Sequence, residues 1–155
     1  NTYECHPPLW ERISIRRKMN PAVKVIVVDP RRTPTAERAD YYLPVVPGTD
    51  MLLLNAMMYT ILEDGLYDED FISKHVNFSD GSEKVSFEDF REFLQDYIPE
   101  NVAAELGISA SQIREVAYYF ASAGATMSMW TMGINQRVQG TFLNNNLNSL
   151  HLITG

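Results

Sequence analysis

The amino-acid sequence predicts an α/β fold in which a parallel sheet carries a helical insertion. Three observations predict it. The run Lys24-Val25-Ile26-Val27-Val28 is rich in β-branched residues, lacks alternation and stops at Asp29-Pro30-Arg31-Arg32, the pattern of a strand buried on both faces. Two further strand-like runs, Tyr41–Val46 and Thr126–Thr131, each end in a glycine-containing turn. Between them, residues 66–124 are a succession of helical periods, which reads as an insertion between sheet strands.

Taken in order, Pro7-Pro8 opens a helix over Leu9–Lys18, because proline is tolerated in a first turn and the basic Arg16, Arg17 and Lys18 suit the last. Asn20-Pro21 ends it. After the central strand, Thr33–Asp40 contains a helical turn. Thr49 or Asp50 then caps a helix from Met51 to Asp64 that is apolar on most faces, and so is expected to lie buried against the sheet. Asp68 opens a short helix to His75, and Asn77–Lys84 reads as a polar loop. Ser86 with Asp89 and Ser109 with Gln112 are capping-box pairs. The first precedes a largely aromatic stripe, Phe87, Phe90, Phe93, Leu94 and Tyr97, expected to be core. The second precedes the stripe Ile113, Val116, Ala117 and Phe120. After Gly140, Thr141 can cap a last helix containing Leu143, Leu147, Leu150 and Ile153.

At 155 residues and 45% hydrophobic composition, the chain suffices for one ordinary core, so it reads as one domain or a piece of a larger one. A formal charge of −7 argues against a nucleic-acid surface. No apolar run is long enough to span a bilayer. The single Cys5 and the scattered His6, His75 and His151 show no metal-ligand spacing. The start lacks an initiator Met and a signal peptide, and both ends read as cut from something longer.

Two positions read as ligand-facing. Asp29 sits at the carboxyl end of a strand, where an acid can accept hydrogen bonds from a ribose diol or a base edge; it can equally start a turn by bonding nearby backbone N–H groups. Met132-Gly133-Ile134-Asn135-Gln136 forms a second such junction, with a flexible glycine and two amides. Asn144-Asn145-Asn146 and Asn148 are poor helix formers in a helical stretch, and either make polar contacts beyond the chain or are simply exposed.

These residues resemble a known family. Val27–Thr33, Ala39–Asp50 and Trp130–Gln136 are similar to the large catalytic subunits of bacterial molybdopterin oxidoreductases. Asn1–Pro7 and Asn144–Gly155 look most like the periplasmic-type nitrate reductase branch, and formate dehydrogenases share much of the first pattern. The resemblance covers the whole chain and is weakest over residues 77–104.

The resemblance implies a three-layer, Rossmann-like fragment that binds one dinucleotide of molybdenum bis(molybdopterin guanine dinucleotide). Asn1, Thr2, Tyr3, Glu4 and Cys5 would meet its pyrophosphate, through backbone N–H groups and Asn1. Asp29, Pro30, Arg31, Arg32 and Thr33 would hold the guanosine end, Gly48, Thr49 and Asp50 would read the guanine, and Met132, Gly133 and Gln136 would lie along the pterin side. The residue chemistry agrees: a carboxylate such as Asp50 accepts from guanine's ring N–H and exocyclic amine together, which adenine does not offer, and Gly48 permits close approach. Arg31 or Arg32 can add charge near phosphate.

By the same resemblance, the molybdenum ligand and the cysteines of a 4Fe-4S cluster precede Asn1, and the substrate-pocket arginine follows Gly155. No catalytic or metal-ligating residue is expected in the chain. The implied whole is a periplasmic, alternatively cytoplasmic, enzyme reducing nitrate to nitrite. It would combine the remaining domains of the same subunit with an electron-donor subunit or cytochrome, and this segment would be inactive alone. The competing readings are the equivalent piece of a formate dehydrogenase or other molybdopterin oxidoreductase, a freestanding nucleotide-binding module, and a helical interaction domain using Phe87–Phe120.

Overall fold

Parallel strands need a crossover, and the first forty-odd residues supply a short one. In the computed structural model, which describes residues 1–155, β1 (Ile26–Val28) runs parallel to β2 (Tyr41–Leu43), with Ile26 opposite Tyr41 and Val28 opposite Leu43. The chain forms two compact units, Asn1–Pro47 and Gly48–Gly155.

In the first unit, α1 (Thr2–Cys5) leads into α2 (Pro7–Met19), whose first turn carries the prolines and whose last carries Arg16, Arg17 and Lys18. Trp10 is the buried side chain of α2, with the Tyr3 ring edge-on at 6.2 Å. The crossover contains α3 (Pro34–Glu37), capped by the Thr33 hydroxyl, which accepts from the Ala36 N–H at 3.3 Å. Arg17 donates to the Asp40 carboxylate at 2.8 Å, and the same oxygen accepts from the Val25 N–H at 2.8 Å. That three-way contact ties the end of α2 to the entry of both strands. β1 departs from the expectation of burial on both faces: Ile26 and Val27 are half-buried and Val28 is 43% exposed, because β2 is its one neighbouring strand.

The second unit is organised around α4 (Asp50–Glu63), in which every residue from Leu53 to Leu62 is buried. The cover comes from helices rather than from a sheet: α6 (Phe87–Leu94), α7 (Pro99–Leu106), α8 (Ala110–Ser122) and α10 (Gly140–Leu152) all pack on it. Burial of large apolar side chains such as Leu53, Met58 and Ile61 contributes about 1.5–3 kcal/mol each. The buried polar groups of α4 are satisfied: Thr60 donates to the Ala56 carbonyl at 3.0 Å, and Asn55 accepts from Asn146 at 2.7 Å. Arg114 of α8 bridges Glu63 at 2.7 Å and Glu100 at 2.9 Å, and its hydrogen bond holds the Glu100 carboxyl below the usual carboxylate range.

Both expected capping boxes are present, at Ser86/Asp89 and Ser109/Gln112, and the α8 stripe Ile113, Val116, Ala117 and Phe120 is buried as its spacing predicts. Three local expectations are corrected. Residues 77–84 are more than a loop, because β3 (Phe78–Ser79) pairs antiparallel with β4 (Lys84–Val85) soon after α5 (Glu69–His75). Of the α6 stripe, Leu94 is core as expected, but the aromatic members form a surface cluster: Phe78 stacks on Phe90 at 5.1 Å, Tyr67 and Phe78 flank Phe87, and Phe93 is exposed.

The third correction concerns Thr126–Thr131, which is not a strand. Its side chains nonetheless alternate as in a strand. Thr126 donates to the Phe120 carbonyl at 2.8 Å, Ser128 shares a 2.8 Å hydrogen bond with His151 Nε2, and the Trp130 indole N–H donates to Asn144 Oδ1 at 2.6 Å. Met127 and Met129 point the other way and are exposed. A backbone carbonyl of α8 and side chains of α10 hold this segment in place of a β-ladder.

Candidate cofactor-binding site

The residues that the sequence singles out fall into both units. In the first, Asn1–Cys5 is brought onto α3, the helix that Thr33 caps. Thr35 Oγ1 accepts from the Tyr3 N–H at 2.9 Å and donates to Asn1 Oδ1 at 2.9 Å, while Asn1 Nδ2 donates to Glu4. The Cys5 N–H is bonded to the Asn1 carbonyl at 3.0 Å. Much of the polar capacity of this turn is therefore spent docking α1 onto α3, leaving the Thr2 and Glu4 N–H groups as its donors outside the helix's own bonds. Arg38 lies 4.1 Å from the Tyr3 ring centre, and Cys5 is a free, exposed thiol.

At the end of β1, Asp29 Oδ1 accepts from the Arg31 N–H at 2.8 Å, and its own N–H donates to the Leu43 carbonyl at 3.2 Å. The turn-starting role of Asp29 is thus present. Pro30, Arg31 and Arg32 are exposed. Neither arginine is ion-paired; Arg32 lies 5.9 Å from the Tyr42 ring centre.

In the second unit, the Gly48-Thr49-Asp50 turn feeds the N-terminus of α4. Thr49 occupies the N-cap position without a side-chain capping bond, and Asp50 is the first helical residue, where its negative charge suits the helix dipole. Gly48 has φ +106°, a conformation that favours glycine, and a Cβ there would lie 3.3 Å from Arg137 Nη2. Arg137 Nη1 donates to Asp50 Oδ2, forming an ion pair between side chains 87 residues apart. Gly48, Met51, Arg137, Gln139 and Leu143 line a small, partly open recess beside this ion pair.

Met132, Gly133 and Gln136 belong to, or immediately follow, α9 (Met132–Asn135), and all three are exposed. The asparagines divide between the two readings. Asn144 donates to Asn135 Oδ1 at 3.0 Å and to the Gly140 carbonyl at 2.7 Å while accepting from Trp130, and Asn146 bonds Asn55. Asn145 and Asn148 are exposed.

Sequence reasoning missed Arg137. Its signal was isolation: it is the lone Asp, Glu, Lys or Arg side chain from Val116 to Gly155.

A family model described as molybdopterin oxidoreductase matches residues 1–155. The chain belongs to the molybdopterin oxidoreductase family. It is 49% identical over its whole length to a nitrate reductase of Symbiobacterium thermophilum and 47% identical to a periplasmic nitrate reductase of Desulfovibrio desulfuricans. A nitrate reductase of Synechocystis sp. is 41% identical over the same span. The chain spans 21% of the length of each of these relatives. Among solved structures, acetylene hydratase from Pelobacter acetylenicus superimposes with a TM-score of 0.78 at 30% identity, over 94% of this chain and 19% of that one. The α/β class expected from the sequence is therefore that of a molybdopterin oxidoreductase segment.

Proposed function

We propose that this molybdopterin oxidoreductase segment binds the guanine dinucleotide form of the pterin cofactor within a larger subunit that reduces nitrate to nitrite, and that it is inactive alone. The observation that carries the reading is the Gly48–Asp50 turn. It sets a carboxylate with two acceptor oxygens at the head of a buried helix, beside a glycine at φ +106° whose missing side chain makes room for the Arg137 guanidinium. That acceptor pair fits guanine, whose N1–H and exocyclic amine need two adjacent acceptors. When bound, the cofactor supplies the molybdenum centre for oxoanion reduction; the residues here bind and orient it.

In this reading Asp50 accepts from the base, Gly48 and Thr49 form the wall beside it, and Asp29–Thr33 hold the guanosine end with Arg31 or Arg32 near phosphate. The Thr2 and Glu4 N–H groups face the pyrophosphate from the Asn1–Cys5 turn, and Met132, Gly133 and Gln136 line the pterin side. The remaining domains of the subunit carry the molybdenum ligand and a 4Fe-4S cluster, an electron-donor subunit or cytochrome reduces them, and the enzyme works in the periplasm. Three relatives named as nitrate reductases support the substrate, one of them named as periplasmic. Likeness to a protein named acetylene hydratase fits a segment that holds cofactor and leaves substrate choice to other parts.

The test is the nucleotide content of the full-length enzyme. Asp50→Asn turns one acceptor into a donor facing guanine's own donors, so the guanine nucleotide released on acid treatment should fall at least about tenfold per protein. Unchanged content would overturn the assignment. Turnover of nitrate by the isolated chain with a reduced dye would overturn its inactivity.

A further inference from the structure

Guanine's base-pairing edge presents, in order, an amine donor, a ring N–H donor and the O6 acceptor. A carboxylate answers the first two and leaves O6 without a partner. Asp50 alone is thus an incomplete reader, and the side chain bonded to it supplies the missing element.

We propose that Asp50 and Arg137 together form an acceptor–acceptor–donor edge, in which Arg137 determines specificity by donating to guanine O6; this rests on the reading of Asp50 as the guanine-binding carboxylate. Arg137 Nη1 is already bonded to Asp50 Oδ2, so a guanidinium N–H lies directly beside one of the two acceptors. An ionised carboxylate has about four lone-pair sites and Arg137 takes one of them, so the ion pair persists while the carboxylate takes both guanine donors. Arg137 also keeps four further N–H groups after donating one.

The guanidinium is held where this role needs it. Its Nη2 lies over Gly48, close enough that a Cβ there would approach it to 3.3 Å. Both side chains remain partly open, at 34% exposed for Arg137 and 27% for Asp50, so a base can reach them. With no other charged side chain from Val116 to Gly155, nothing on its own stretch of chain competes for Arg137.

The experiment uses the full-length enzyme prepared without cofactor, titrated calorimetrically with three 5′-diphosphates: GDP, IDP, which lacks the exocyclic amine, and 6-thioguanosine diphosphate, which keeps both donors but carries sulfur, a weak acceptor, in place of O6. The wild type should prefer GDP over each analogue by at least about tenfold. Arg137→Met should abolish the preference over the 6-thio compound and keep that over IDP; Arg137→Lys, which retains a charged donor, should keep both. Asp50→Asn should abolish the preference over IDP. If Arg137→Met, or Arg137→Lys should the former not fold, leaves affinities in a pattern unrelated to O6, the Arg137 role is overturned while a loss in Asp50→Asn still upholds the guanine site. Unchanged GDP affinity in Asp50→Asn overturns the underlying reading as well.

Discussion

Gly140 brings the start of α10 against the end of α9: a Cβ placed on it would lie 2.5 Å from the Asn135 carbonyl oxygen. That oxygen belongs to backbone and has no rotamer through which to retreat. Gly140→Ala should therefore separate the two helices at a cost of about 1–3 kcal/mol, the range for overpacking a filled site. Urea unfolding reads the loss as a lower midpoint at unchanged slope; a midpoint equal to wild type would show that the contact relaxes freely.

Asn144 extends the same junction. It accepts from the Trp130 indole and donates to Asn135 and to the Gly140 carbonyl, so one amide joins the Thr126–Thr131 segment, α9 and α10. Asn144→Leu should leave those partners unsatisfied, destabilising the fold by about 1–3 kcal/mol. It should also change the environment of Trp130, which intrinsic fluorescence reports. A change in stability with unaltered Trp130 emission would mean that the indole bond contributes nothing.

These contacts mark what was legible in the sequence and what was not. The α8 stripe and both capping boxes are read correctly because every partner lies within a few residues, so spacing alone encodes them. The β1–β2 pair is legible for a related reason, two β-rich runs with a crossover between them. Thr126–Thr131 has the side-chain alternation of a strand, but a strand is defined by a neighbour, and composition does not carry that. Asp50 is legible as a carboxylate at a helix start. Its bond to Arg137 is not, because the partner lies 87 residues away and nothing local to either residue encodes the pairing.

His151 makes stability depend on pH. Burial lowers its pKa from the ordinary 6.5, and its Nε2 shares a hydrogen bond with Ser128 while the Phe120 ring lies 4.8 Å away. With the folded pKa below the unfolded one, the unfolded chain binds more protons as pH falls through 6.5, so this contribution is full above that pH and is lost below it. Wild-type thermal stability should therefore drop between neutral pH and about pH 5 by more than that of His151→Gln, which does not titrate. Parallel pH profiles for the two proteins would remove His151 as the cause.

Adjacent residues on α10 separate packing from mere hydrophobicity. Leu143 is 3% exposed, on the face of α10 turned toward α4, whereas Phe142 is 68% exposed. Leu143→Ala leaves a cavity where surrounding atoms cannot fully collapse and should cost about 2–5 kcal/mol. Phe142→Ala removes a larger side chain yet should stay within about 0.5 kcal/mol, because water already contacts most of the ring. Paired urea titrations give the ratio directly. Equal losses would mean that Phe142 is covered in solution by something other than the side chains of this segment, which would place a protein–protein contact on the outer face of α10.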